Sequence, residues 1–377
     1  MNVALKELGE ISTGNTPSKK ISEYYNSDDI YFVKPDIISD KGISIISKSN
    51  EYISENARAK ARIVEANSIF VTCIGTIGKI GITSDGEYAF NQQINAIKTN
   101  DKIIPKYLAY NLLFSKPKLI DIANAPVVPI INKTQFGDFI VHIEPNIDIQ
   151  LKIVSILDKL QSIITHRQIQ LTKLDELVKA RFVEMFGDPI LNQKGFPVYR
   201  MDEVVDFQGG SQPDKKYFEY EPTDDNIRLI QIRDYKTDRY ITYIPKAMAK
   251  RFCTADDIMI GRYGPPIFQI LQGIEGSFNV ALMKATPKMG NKEFIRYFLK
   301  QDCLLHYLEG LSQRTAGQDG IQMDKLKAYP FPMPPIEAQE AFASFTTQIN
   351  KSKAVIQKSL DKSQMLFDSL MQEYFGG

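Results

Sequence analysis

The chain is short of the residues that build metal and redox centres. Its 377 residues include 3 cysteines, Cys73, Cys253 and Cys303, far apart and odd in number. Neither a disulfide framework nor a cysteine-rich zinc site is expected from them, and a reducing cytoplasm is the natural compartment. The 3 histidines, His142, His166 and His306, stand beside no Cys or second His at ligand spacing, so no metal ligands are assigned. No apolar run approaches about 18 residues, which removes a membrane span. The first residues place Lys6 and Glu7 where a signal peptide needs an apolar stretch. An excess of one charge is missing too: 46 Lys and Arg against 45 Asp and Glu leave +1, and each half of the chain is balanced by itself. A protein that coats nucleic acid by bulk charge carries a clear basic excess. The balance therefore argues against tight nucleic-acid binding by this chain alone, not against binding alongside partners that supply positive charge.

What the chain has is a repeat of itself. Leu5, Leu8, Ile11, Gly14, Pro17, Lys19 and Lys20 match Met201, Val204, Phe207, Gly210, Pro213, Lys215 and Lys216, every pair 196 positions apart. Further on, Gly75 matches Gly264, Phe90-Asn91 matches Phe278-Asn279, Pro145 and Gln150 match Pro334 and Gln339, and Phe186-Gly187 matches Phe375-Gly376. A period near 190 is a duplicated domain, far longer than a solenoid repeat of about 20–50 residues. Each copy opens with about 140 residues that mix short β-rich runs with Gly, Asn and Pro punctuation and a few helical patches.

Each copy then closes with a long stretch free of Gly and Pro, which predicts a helix from about Ile147 to Met185 and another from Ile336 to Phe375. In the first, Leu157, Leu160, Ile164, Leu171, Leu174 and Val178 fall on steps of 3 and 4; Ile349, Ile356, Leu360, Phe367 and Leu370 do so in the second. That is a heptad seam, and seam positions polar in one helix are apolar in the other, as Arg167 is against Ile356. Two amphipathic helices that each cover their own domain would be the plainer arrangement. Unequal seams favour pairing of the two with each other, antiparallel, as a stiff rod about 50 Å long. The fold class expected is α+β: two similar mixed α/β domains at 1–145 and 188–334, separated by helices at 146–187 and 335–377 paired as an antiparallel coiled coil, with an internal pseudo-twofold repeat.

Catalytic chemistry is scarce. Gly75-Thr76-Ile77-Gly78-Lys79 is too tight for a phosphate loop and has Ile80 where Ser or Thr is required. It reads as a turn that brings backbone and Lys79 to a surface. Asp214, Asp234 and Lys236 have the loose spacing of a divalent-metal nuclease, but Ser18 stands where the first copy would need the matching aspartate. A metal-dependent DNA nuclease is kept as the alternative, and a scaffold without a DNA role as a third. There is no Gly-rich turn for a methyl donor and no Asn-Pro-Pro-aromatic loop for base methylation.

The residues that remain suit nucleic-acid contact. Thr16, Lys19 and Lys20, and likewise Gln212, Lys215 and Lys216, belong to or follow a Gly-x-x-Pro turn, where Lys contacts phosphates. Asn91, Gln92 and Gln93 set amides after an aromatic, and amides pair with adenine in the major groove. The second copy offers Gln231, Arg233, Lys236, Arg262, Tyr263, Gln313 and Arg314 for base edges. Two related readers with different side chains suit a split, asymmetric DNA site.

With these motifs in order, the whole chain resembles the DNA-specificity subunit of Type I restriction-modification systems. The resemblance rests on Leu5-Lys6-Glu7-Leu8-Gly9-Glu10-Ile11 with Gly14 and Pro17, and on Gly75 to Lys79 before Phe90-Asn91-Gln92. Further support comes from Phe182 to Asp188 (Phe-Val-Glu-Met-Phe-Gly-Asp) and from Pro335-Ile336-Glu337-Ala338-Gln339. The second copy departs from it by lacking the Gly-Thr-Ile-Gly-Lys run. The resemblance implies two target-recognition domains that each read half of a bipartite site, with paired helices that set the spacer. It implies a cytoplasmic, non-catalytic chain without cofactors that binds double-stranded DNA and two methyltransferase subunits. S-adenosylmethionine, Mg and ATP would be bound by those subunits and by motor-nuclease restriction subunits.

Overall fold

The computed structural model describes residues 1–123, 128–264, 266–312 and 320–377. The chain divides into two compact units, one of residues 1–169 with 357–377 and one of residues 170–356. Each unit therefore owns a globular part and one portion of each long helix.

In the first unit a five-stranded sheet runs in the order Gly9–Thr13, Ile94–Thr99, Ile69–Thr72, Ile80–Thr83, Ile43–Ile46. A second sheet runs Glu51–Ile53, Ile30–Val33, Tyr88–Phe90, Ile63–Val64, with Val33 and Phe90 registered in a parallel pair. The second unit repeats this plan with four strands, not five, in the first sheet. Its sheets run Val205–Gly209, Leu282–Pro287, Ile258–Gly261, Gln269–Gln272 and Tyr243–Pro245, Asn226–Ile230, Gly276–Phe278, Phe252–Cys253. Ile230 and Phe278 form its matching parallel pair. Each unit also closes its base with one short antiparallel pair, Asn2–Ala4 on Ile140–His142 and Val198–Arg200 on Pro330–Pro332.

The long helices span Ile147–Phe186 and Ile336–Phe375, 40 residues each. Asn146 caps the first, its Oδ1 accepting from Asp148 N at 2.9 Å and Ile149 N at 3.2 Å. Gly187, at φ 74°, ends it in the left-handed conformation that glycine adopts without strain. Within the first unit the start of the first helix lies against the end of the second: Leu157, Ile164, Phe367, Met371 and Phe375 share one core, flanked by Leu160, Leu360 and Leu370. Within the second unit the directions again oppose, with Val178, Phe182 and Phe186 against Phe342 and Ile349. Leu171, Leu174 and Ile356 are half-buried. Lys353, a polar seam position, forms an ion pair with Asp175 at 2.5 Å.

The repeat-matched glutamines now have a reason. Gln150 and Gln339 are buried in the first turns of the two helices. Gln150 Oε1 accepts from Ile104 N at 2.8 Å and its Nε2 donates to Glu144 O at 2.7 Å. Gln339 does the same between Asn291 N at 2.8 Å and Pro334 O at 2.7 Å. Each side chain satisfies backbone groups that no regular element reaches, and so pins a helix start to its globular part.

On the outer side of the first helix, Ile149, Ile156 and Ile163 are seven residues apart and 41% exposed each. The cysteines are structural fillers. Burial pushes the Cys73 thiol up to about 12 and the Cys253 thiol up to about 11. Near pH 8 neither holds a useful fraction of thiolate, so the native chain should leave both unmodified by iodoacetamide, and denaturant should expose them. Mass spectrometry of the two peptides checks this.

Candidate nucleic-acid interface

One junction is built twice. In the first unit the strand Gly9–Thr13 leaves its sheet at Gly14, whose N donates to Ile94 O at 3.1 Å; Asn15 N then donates to Phe90 O at 2.9 Å. The turn sits directly on the Phe90-Asn91 backbone. A Cβ on Gly14 would lie 2.2 Å from Asn91 O and 2.4 Å from Phe90 O. Asn91 N in turn donates to Val33 O at 3.1 Å, which ties in the second sheet. The second unit repeats each link: Gly210 N to Leu282 O at 3.1 Å, Ser211 N to Phe278 O at 3.0 Å, and Asn279 N to Ile230 O at 3.0 Å. A Cβ on Gly210 would lie 1.9 Å from Asn279 O.

This geometry sorts the expected contact residues. Asn91 is buried, with Nδ2 donating to Gln93 Oε1 at 2.8 Å and Oδ1 accepting from Gln93 N at 3.1 Å. Its amide is used inside the domain, and the exposed amide of the segment is Gln92, which accepts from the Thr16 hydroxyl at 2.9 Å. Asn279 is likewise buried, and its Nδ2 donates to exposed Gln212 at 3.3 Å. In both copies a side chain from the Gly-x-x-Pro turn is thus held by one from the Phe-Asn segment. Just past the turns, Lys19, Lys20, Lys215 and Lys216 are exposed, with Lys216 Nζ 5.0 Å over the Tyr217 ring and 3.9 Å from Asp214.

The Gly75 turn adjoins this junction, since Cys73 N donates to Gln93 O at 2.7 Å. Gly75 and Gly78 both hold φ 76°, and nothing lies within 4 Å of where a Cβ on Gly75 would sit. Lys79 is half-buried and donates to Pro35 O at 3.3 Å. At the matching place Arg262 lies 5.3 Å over the exposed Tyr263 ring, donates to Val280 O at 3.4 Å, and passes 3.8 Å from a Cβ built on Gly209. Gln231 is half-buried, and Arg233 and Lys236 are exposed. Gln313 and Arg314 lie outside the described residues.

The nuclease set does not open onto a common space for a metal. The Asp234 carboxylate is fully buried, accepts from Gln231 N at 3.2 Å, and lies 3.6 Å from Arg228 Nε. Burial holds its carboxyl above the usual range. Asp214 instead caps its own turn, accepting from Lys216 N at 3.1 Å. No group of three or more His, Cys, Asp or Glu residues among the described residues is arranged to hold a metal ion. Among those residues no helix is long and apolar enough to cross a membrane.

Sequence reading passed over Thr242, Arg239 and Tyr240, which prove to sit with Gln231 and Arg233. A lone threonine carries no signal of its own. The aromatic Tyr240, directly after Arg239 and seven residues past Arg233, was the available clue.

A sequence model described as Type I restriction modification DNA specificity domain matches residues 1–173 and again 193–362. The Type I restriction enzyme HindI specificity subunit of Haemophilus influenzae is 32% identical over 190 residues, 48% of this chain and 40% of that one. The MjaIX specificity subunit of Methanocaldococcus jannaschii is 26% identical over 240 residues, 57% of this chain and 54% of that one. The chain thus spans about half the length of these relatives, or less. In fold it is similar to the crystal structure of a Type I restriction-modification S subunit from M. genitalium, at 12% identity and a TM-score of 0.61 over 100% of this chain and 96% of that one. A structure from a study of complex assembly and conformational transition in the type I system matches at 14% identity and 0.52, over 99% and 97%.

Proposed function

This chain belongs to the Type I restriction-modification DNA specificity family, and from that premise we propose that it is a non-catalytic subunit that reads a bipartite, asymmetric DNA site and directs adenine-methylating partners to it. Residues 1–145 read one half-site and residues 188–334 the other. The observation that carries this is the duplicated junction. In each copy the glycine-dependent turn and the Phe-Asn segment packed on it carry one exposed amide beside two exposed lysines: Gln92 of the segment with Lys19 and Lys20, and Gln212 of the turn with Lys215 and Lys216. The lysines contact phosphates and fix orientation, while the amides and the arginines at 233 and 262 contact base edges. Conserved scaffold with changed side chains is what an asymmetric target demands.

Two methyltransferase subunits dock on the long helices at 146–187 and 335–377. The exposed isoleucines at 149, 156 and 163 support this, because a heptad-spaced apolar row in water is suited to a partner's apolar face. S-adenosylmethionine belongs to those subunits, and ATP and Mg to motor-nuclease subunits where the system has them. The near-neutral charge fits a chain whose phosphate neutralisation is shared with partners, and its compartment is the cytoplasm, where the DNA is.

Reconstitution with the methyltransferase subunits and mapping of methylated adenines tests the assignment. Replacing residues 1–145 by the corresponding segment of a relative should change one half-site and leave the other as it was. An unchanged pair of half-sites would sink the reading.

A further inference from the structure

The second unit holds a side-chain cluster without a counterpart among the described residues of the first. It lies where the strand Asn226–Ile230 ends against the junction, because Ile230 O is the acceptor for Asn279 N. From the next turn, Gln231 Nε2 and Arg233 Nη2 each donate to Thr242 Oγ1 at 3.0 Å. That hydroxyl donates onward to Tyr240 O at 3.4 Å, and Thr242 is itself fully buried. The Arg233 guanidinium lies 5.8 Å from the centre of the exposed Tyr240 ring, and Arg239 lies 5.4 Å from the same ring. A hydrogen bond on one side and a ring on another hold Arg233 in one orientation, so less rotamer freedom remains to be lost on binding. The equivalent step in the first unit follows Val33, whose O accepts from Asn91 N. It carries Lys34, paired with Glu51, and Asp36 instead of a fixed guanidinium.

We propose that Thr242 is a positioning residue that holds Gln231 and Arg233 together as one base-reading head, and that its target is a guanine in the half-site read by the second unit. This rests on the DNA-recognition function proposed above. Guanine presents two acceptors, O6 and N7, on its major-groove edge, and the arginine fork fits that pair. With one Nη2 hydrogen given to Thr242, Arg233 keeps its Nη1 pair and its second Nη2 hydrogen for the base. Arg239, exposed beside it, is placed for a neighbouring phosphate.

The test uses the full chain assembled with its methyltransferase subunits and a duplex library randomised over both half-sites. The wild type should prefer guanine at one position of one half-site by about tenfold or more. Thr242→Val keeps shape and removes the hydroxyl, and should cut that preference toward unity while the other half-site stays as selective as before. Thr242→Ser should retain the preference. Arg233→Lys, at an exposed position, should lose it too, and carries the test should Thr242→Val fail to fold. Replacing the guanine by 7-deazaguanine should weaken wild-type binding and leave the Arg233→Lys complex little changed. Preferences that survive Arg233→Lys, equal weakening of both half-sites, or no guanine in that half-site would overturn the inference. A wild-type complex that methylates no defined bipartite sequence would instead remove the function on which it rests.

Discussion

Gly210→Ala is expected to erase recognition of one DNA half-site while the other stays readable. The added methyl would stand 1.9 Å from Asn279 O and 2.8 Å from Phe278 O, both backbone atoms that no rotamer change can clear. The turn must therefore lift, which breaks the bonds from Gly210 N to Leu282 O and from Ser211 N to Phe278 O. Overpacking of this kind costs about 1–3 kcal/mol and occasionally more. At about 1.4 kcal/mol per tenfold, the loss of specific affinity through that half is about ten- to a hundredfold. Gly14→Ala has the same cause in the first unit, where the methyl would meet Asn91 O at 2.2 Å, and should erase the opposite half-site. Methylated-adenine maps for the two variants should show complementary degeneracy. If both variants lose the same half, the junction does not place the readers.

The double change Ile156→Glu with Ile163→Glu is expected to abolish methylation without unfolding the chain. Both positions are well exposed, so the free chain meets two new carboxylates in water at little cost. Under a docked methyltransferase the same carboxylates would be buried without partners, at several kcal/mol each. Co-elution should fall by a hundredfold or more in apparent affinity, while the melting temperature of the free chain moves by no more than a few degrees. Undiminished co-elution would move the docking face away from this row.

Long-period features were legible in the sequence because they are written in many residues at once. The pairs from Leu5 with Met201 to Phe186 with Phe375 predicted two similar domains, and the uninterrupted runs predicted both long helices, the first to within a residue of its observed end. What one residue decides was not legible. Asn91, Gln92 and Gln93 looked alike as readers, yet the Asn91 amide faces inward and Gln92 faces out. Asp234 looked like a metal ligand, but an aspartate three residues past Gln231 can cap its own short turn, and here it does. The parallel pairing of Val33 with Phe90 joins segments far apart in the chain, and no local pattern announces it. Gln150 and Gln339 stood out only as a match; their part in anchoring a helix start needed the third dimension.

The division of the chain has a consequence for its synthesis. The second unit is one continuous segment, residues 170–356, whereas the first takes residues 1–169 and then waits for 357–377. On the ribosome the unit that is translated first is thus the last to be completed. Until Phe367, Met371 and Phe375 arrive, the apolar faces of Leu157 and Ile164 stay uncovered, and they stay so behind a second unit whose segment is already whole. Such a delayed, long-range closure is slow and leaves apolar surface open to aggregation in the interval. The order of emergence makes residues 357–377 the step that completes the first unit.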